Sequence, residues 1–282
     1  MISVLWGCYY VVVAPFFKNG DYTMNKENSP VILSVQNVTK RFGGVIAVNE
    51  VNLEVRKGDR YLLIGTNGAG KSTLFNLICG DIPVTSGKVF LFGKDVTKKS
   101  IRDRANMGMR RTYQATALFP KLTVRQNLYL AVLGTMPLRS QFNIFTNYTK
   151  SKAFNGKIEE TAKEVMLVDK LDELVMNLSH GEHRQLELGL ALISKPQLLL
   201  LDEPSSGLSE NERTIMKQML LNLDEEMTLI MVEHNMELGF AVSSKVTVMQ
   251  DGKVVFEGTP EETQNDKFVQ SIYLGTGGAN DE

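Results

Sequence analysis

Eight consecutive residues, Gly65-Thr66-Asn67-Gly68-Ala69-Gly70-Lys71-Ser72, match the phosphate-binding loop pattern G-x-x-x-x-G-K-[ST] at every fixed position. Glycines at these places let successive backbone N–H groups turn inward and cradle a β-phosphate. Lys71 sets a cation against the β and γ oxygens, and Ser72 offers a hydroxyl to Mg²⁺. A second element lies far along the chain, where Leu198–Leu201 runs into Asp202-Glu203. A strand ending in Asp brings a carboxylate beside the phosphate loop, where Asp202 can hold Mg²⁺ through water. The next acid, Glu203, can orient and polarise an attacking water.

These groups work only if the chain positions them. Tyr61-Leu62-Leu63-Ile64 is a short apolar run of buried-strand type, and Ser72–Ile78 carries an apolar face at helical spacing. Strand, glycine loop and helix in that order aim a helix N-terminus at phosphate. Upstream, Ile32–Val38 and Val51–Val55 alternate as strands, with turn signals at Gly43-Gly44 and Lys57-Gly58-Asp59; Lys88–Phe92 is a further strand. After Gln114 the pattern changes. Leu122–Gly134 and Gly156–Met176 place apolar residues three and four apart and read as helices, with a polar and aromatic loop over Pro137–Asn155 between them. Helices over 182–193, 210–223 and 236–243 then alternate with buried strands at 197–201 and 228–232 and strands near 246–249 and 254–257. That alternation indicates an α/β parallel sheet. There is no internal repeat, so one such unit is expected.

The chain of 282 residues is 43% hydrophobic and 22% charged with a net charge of −1, which gives no global electrostatic case for nucleic acid. Cys8 and Cys79 are far apart and read as free thiols. Ile2 to Phe17 is nearly all apolar but holds Pro15, falls short of the roughly 20 residues that span a bilayer, and has no basic residue before it. Three readings stay open for this stretch: a true start at Met24, a membrane-lying anchor, or a cleaved signal. The last conflicts with the cytosolic ATP that the rest implies. Residues 1–30 are treated as an extension and 276–282 as a flexible polar tail.

Four further motifs join the first two. Leu178-Ser179-His180-Gly181-Glu182 resembles the LSGGQ signature, Gln114 in Arg111-Thr112-Tyr113-Gln114 resembles the Q-loop glutamine, and His234 in Val232-Glu233-His234 resembles the switch histidine. Ser205–Ser209 takes the D-loop place, with Ser209 where an acid is usual. Their order is that of the nucleotide-binding subunits of ABC transporters, which the chain resembles from Val31 to Gly275. The resemblance implies an α/β P-loop NTPase (RecA-like) core with an antiparallel β subdomain and an inserted α-helical subdomain at about 115–180. It implies that Gly65 to Thr73 bind ATP and that Phe42 stacks on adenine. It implies that Ser72, Gln114 and Asp202 serve Mg²⁺ and that Glu203, His234 and Gln114 serve hydrolysis. Ser179 and Gly181 would contact ATP held by a second subunit in a head-to-tail dimer. His180 and His183 carry no such role.

Arg110–Gln114, Leu118-Phe119, Leu122–Leu128, the sequence around Ser179, Val232–Met236 and the ending Ile272-Tyr273-Leu274-Gly275 most resemble ATPases of branched-chain amino acid importers; urea and amide importers share these features. The implied partners are a second ATPase subunit, permease subunits docking near Gln114–Val124 and, indirectly, a solute-binding protein. The implied place is the cytoplasmic face of the membrane. An exporter of the lipopolysaccharide type is the alternative. A soluble ABC ATPase of ribosomes or DNA is opposed by the single ATPase unit and the absence of long coiled coils. A small-molecule kinase is opposed by Ser179–Glu182 and His234.

Overall fold

The computed structural model describes residues 29–112, 118–135 and 152–274. The N-terminal extension, Gln114, most of the 137–155 loop and the C-terminal tail lie outside the described residues.

The chain opens with a hairpin, β1 (Val31–Phe42) and β2 (Val45–Arg56). It continues through β3 (Arg60–Gly65), α1 (Lys71–Cys79), β4 (Ser86–Leu91), β5 (Lys94–Asp95), α2 (Ile101–Asn106) and β6 (Met109–Arg111). Helices α3 (Val124–Gly134), α4 (Lys152–Glu164) and α5 (His180–Leu192) follow, with two 3₁₀ turns at Val168–Lys170 and Val175–Asn177. The remainder is β7 (Leu198–Asp202), α6 (Glu210–Leu221), β8 (Thr228–Val232), α7 (Met236–Val242), β9 (Lys245–Gln250), β10 (Lys253–Gly258), α8 (Pro260–Asn265) and α9 (Lys267–Leu274).

Two sheets result. One is four-stranded and antiparallel, in the order β2-β1-β4-β5; the other has six strands in the order β10-β9-β3-β8-β7-β6. In the six-stranded sheet β6, β7, β8, β3 and β9 are parallel neighbours, and only β10 joins antiparallel. Both faces of the parallel sheet are covered, which is why β7 and β8 read as continuous apolar runs. The period of two still sorts the side chains. Leu62, Ile64, Leu199, Leu201, Leu229 and Met231 enter a core shared with the helices α3 to α7. Tyr61, Leu63, Leu198, Leu200, Ile230 and Val232 enter a second core with α1 and the antiparallel sheet. Each fully buried leucine contributes about 1.5–3 kcal/mol. The parallel strands therefore hold their carboxyl ends in fixed register, and the chemistry-bearing residues stand at those ends.

Two sequence expectations are corrected. The helix expected over Gly156–Met176 starts earlier and stops at Glu164, because Met166 takes a left-handed φ of 55° and the Leu167 N–H turns back to the Ala162 carbonyl. The apolar residues beyond it, Val168 and Val175, sit in 3₁₀ turns; the Thr123–Leu174 bridge and the Val175 N–H to Leu122 carbonyl bond tie that stretch to the start of α3. The α4 helix also begins inside the expected 137–155 loop. In addition, α2, β6, α8 and α9 were not anticipated. The signal for α8 was present as a capping box, Thr259 with Glu262, and Pro260 at the first turn.

Candidate nucleotide site

The phosphate loop joins β3 to α1 under tight steric constraint. Gly65 has φ 151°, and a Cβ there would lie 2.1 Å from the Met249 carbonyl oxygen; Gly70 has φ 97°, and a Cβ there would lie 2.3 Å from the Ala47 carbonyl oxygen. Only glycine fits either position. Gly70 is also the N-cap of α1 and supplies no side-chain acceptor, so the first-turn N–H groups are left to a ligand. Ala69 is buried as a prop, its carbonyl accepting from Gly252 N–H, while Asn67, Gly68 and Ser72 are exposed and Thr66 and Thr73 half-buried. The Lys71 ammonium donates to the Gly65 and Thr66 carbonyls at 2.7 and 3.0 Å. Burial lowers its pKa, and the Glu203 carboxylate pulls the other way.

Asp202 ends β7 with the two oxygens of its carboxylate in different situations. Oδ2 accepts from the Arg111 guanidinium at 2.6 Å, and both side chains are under 9% exposed. Oδ1 is buried and has no hydrogen-bond partner among the described residues. A free carboxylate oxygen and, on the phosphate loop, the exposed Ser72 hydroxyl are hard oxygen donors of the kind that suits Mg²⁺. Arg111 also binds Asn76 Oδ1 at 2.7 Å and Asp81, and lies over the Phe75 ring. Its own charge is opposed by burial and upheld by the Asp202 and Asp81 carboxylates. Cys79 is a free, buried thiol whose pKa burial pushes up to about 12.

The next residue, Glu203, takes a left-handed φ of 50°. Such a conformation costs about 1–3 kcal/mol in a residue with a Cβ and persists only where neighbours impose it. Here they do: its N–H donates to the Val232 carbonyl at 2.8 Å and its carbonyl accepts from Ser206 N–H at 3.0 Å. The turn aims the carboxylate at His234, whose Nε2 lies 3.1 Å from Glu203 Oε1. His234 remains about half exposed, so the pair is open to a water or a phosphate. This arrangement can polarise a water with Glu203 and let His234 hold the pair in place.

Ser179 and Gly181 are elsewhere engaged. Ser179 caps α5 in a capping box with Glu182, and Gly181 N–H donates to Glu212 Oε1 at 2.9 Å. No described hydrogen bond joins them to residues 65–73. Ser209, in place of the usual acid, caps α6 through Glu212. Phe42 ends β1 half exposed, with the Lys40 ammonium 5.0 Å from its ring centre. The structure thus brings together Lys71, Glu203 and His234, holds Asp202 against Arg111 on the residue before Glu203, keeps Ser179 and Gly181 apart, and leaves Gln114 outside the described residues.

The ABC transporter family profile matches residues 48–206. The high-affinity branched-chain amino acid transport ATP-binding protein LivG of Salmonella typhimurium is 32% identical over 256 residues, covering 88% of this chain and 99% of that protein. This chain belongs to the ABC transporter family. The corresponding ATP-binding protein of Pseudomonas aeruginosa, BraF, is 32% identical over 253 residues, with 86% of this chain and 98% of that one covered. Among solved structures, an ATP-binding cassette of an ABC transporter in its ADP conformation superposes with a TM-score of 0.76 at 28% identity, covering 87% of this chain and 99% of that one.

As an ABC cassette the chain binds ATP and is an ATPase coupled to transport. Two residues of its site escaped the sequence reading. Arg111 appeared there only as part of a motif, yet it clamps Asp202; its signal was a second consecutive arginine ahead of a family motif. Glu233 was read only as the neighbour of His234, yet it is a buried carboxylate. Its signal was an acid placed directly after the apolar run Leu229–Val232.

Proposed function

We propose that this chain is the ATP-hydrolysing subunit of an importer for branched-chain amino acids or similar small polar solutes. The observation that carries the reading is alignment over nearly the full length of two ATP-binding proteins named for high-affinity branched-chain amino acid transport. Those names favour uptake over export of the lipopolysaccharide type.

In this reading Lys71 and the N–H groups of the phosphate loop bind the ATP phosphates, and Phe42 offers its ring face to adenine. Ser72, Asp202 and Gln114 would hold Mg²⁺, which when bound neutralises phosphate charge. Glu203 takes the proton of the attacking water and His234 keeps Glu203 and the γ-phosphate in register. Ser179 and Gly181 cap the ATP of a second ATPase subunit, so that binding closes the pair and hydrolysis reopens it. No helix among the described residues is long and apolar enough to cross a membrane. The chain would therefore ride on permease subunits at the cytoplasmic face. Phe119, Leu174 and Met176 are exposed apolar side chains around the start of α3, beside the expected docking segment Gln114–Val124. They suit a permease contact.

The test is recovery of this chain from its own cells in gentle detergent, followed by ligand binding to any copurified solute-binding protein. A permease with a binding protein that takes leucine, isoleucine or valine is the expected result. A permease with no binding protein would point to export, and recovery with ribosomes or with no membrane protein would overturn the transporter reading.

A further inference from the structure

Glu233 is a buried acid of the site that the hydrolytic reading leaves without a role. It is 2% exposed, at the end of β8. No cationic side chain among the described residues pairs with it. Its charge is met by three backbone N–H groups instead. Oε1 accepts from His234 at 2.8 Å and Asn235 at 3.0 Å, and Oε2 accepts from Ser205 at 3.1 Å. Burying a carboxylate is costly, and hydrogen bonds of this kind are what makes it tolerable.

The three donors come from two loops. His234 and Asn235 follow β8; Ser205 follows β7 and starts the loop that runs to Leu208. That loop reaches the signature helix, because a Cβ on Gly207 would lie 3.0 Å from His180 Nε2. On its other side, Glu203 is bonded to Val232 and Ser206 and faces His234. One carboxylate thus joins the loop packed on the α5 end to the residue that orients Glu203.

We propose that Glu233 is a positioning residue that couples the Ser205–Leu208 loop to His234, so that closure of the second subunit over the α5 end is felt at the hydrolytic pair. The proposal rests on the roles given above to Glu203 and His234. The chemistry demands an acid. A glutamine could still accept from His234 and Asn235 with its oxygen, but its amide nitrogen would then face the Ser205 N–H, donor against donor. The join would be cut while the turn after β8 kept its bonds.

The test uses the full chain assembled with its permease and compares Glu233→Gln with Glu203→Gln. Glu233→Gln should leave KM for ATP and the nucleotide Kd within about threefold. It should lower kcat on the order of ten- to hundredfold, the scale of a small misplacement of catalytic groups, and weaken the cooperativity of hydrolysis with ATP. A residue that only stabilised the fold would not divide kcat from KM in this way. If Glu203→Gln loses turnover while Glu233→Gln keeps wild-type kcat and cooperativity, the coupling is wrong and the hydrolytic reading stands. If Glu203→Gln retains turnover, the hydrolytic reading itself fails. Should Glu233→Gln not fold, hydrogen exchange on the wild-type complex decides. The amides of Ser205, His234 and Asn235 must change protection together when a non-hydrolysable ATP analogue is added, and independent change overturns the proposal.

Discussion

The carboxyl ends of β3, β7 and β8 and the amino end of α5 are both polar edges of one chain, but they are finished differently. Where β3, β7 and β8 end, Lys71, Glu203 and His234 already lie together, while Arg111 braces Asp202 and Glu233 braces the His234 backbone. At the start of α5, Ser179 is taken up by Glu182 and Gly181 by Glu212, both carboxylates of the same chain. An anion-seeking helix end satisfied by local carboxylates is stable without a ligand and can exchange them for phosphate. On the proposed reading, the strand ends supply the hydrolytic half of a site from within the chain, and the α5 end is the capping half that a second subunit would use.

The strand ends are most vulnerable at the Arg111 brace. Arg111→Met leaves Asp202 and Asp81 without their guanidinium, and unpairing a charge this buried costs about 3–5 kcal/mol. Denaturant midpoints should show that loss, with Arg111→Lys falling in between; wild-type stability would mean that the strand ends need no brace. Next, Lys71→Ala should weaken nucleotide binding by about a hundredfold, the scale of removing one buried charge contact. Fluorescent-nucleotide titration measures it, and unchanged affinity would remove Lys71 from the site.

The other edge should respond differently. Ser179→Ala should lower stability by about 1 kcal/mol as a lost cap. ATP binding by the isolated chain should be unchanged, while hydrolysis by the assembled complex should fall by roughly tenfold or more if the hydroxyl meets the partner's ATP. Equal loss of binding in the isolated chain would place Ser179 in its own subunit's site instead. The smallest effect lies at a carboxylate outside the candidate site. Burial raises the Glu164 pKa, helped by Glu160 and Asp224 and opposed by Lys195. The folded state therefore favours the protonated carboxyl, a contribution present at acid pH and lost as pH rises through the raised value. Glu164→Gln should then add up to about 0.5 kcal/mol at neutral pH, with the gain shrinking as pH falls towards the ordinary carboxylate range. Thermal melts across that range check it.

What could be read in the sequence follows the same division. Residues whose role is set by neighbours in the chain were legible: the phosphate loop from its own pattern, β7 and β8 from apolar runs that two covered faces require, Ser179 from its capping position. Residues whose role is set by contacts across the fold were not. Arg111 reaches Asp202 and Asp81, and Glu233 reaches Ser205, through the packing of strands far apart in sequence. The α4 helix was misjudged for a related reason. Apolar spacing alone cannot tell a continued helix from 3₁₀ turns pinned to α3 by the Thr123–Leu174 bridge. The left-handed turn of Glu203 also had no sequence signal, since only the Val232 and Ser206 bonds impose it.

The most direct test of the hydrolytic pair is single-turnover hydrolysis by Glu203→Gln in the assembled transporter, with bound nucleotide counted after rapid gel filtration. The account predicts ATP held unhydrolysed in a stably closed pair of ATPase subunits, with turnover reduced by about a hundredfold or more. Wild-type turnover in that variant, with ADP and phosphate released at the normal rate, would contradict it.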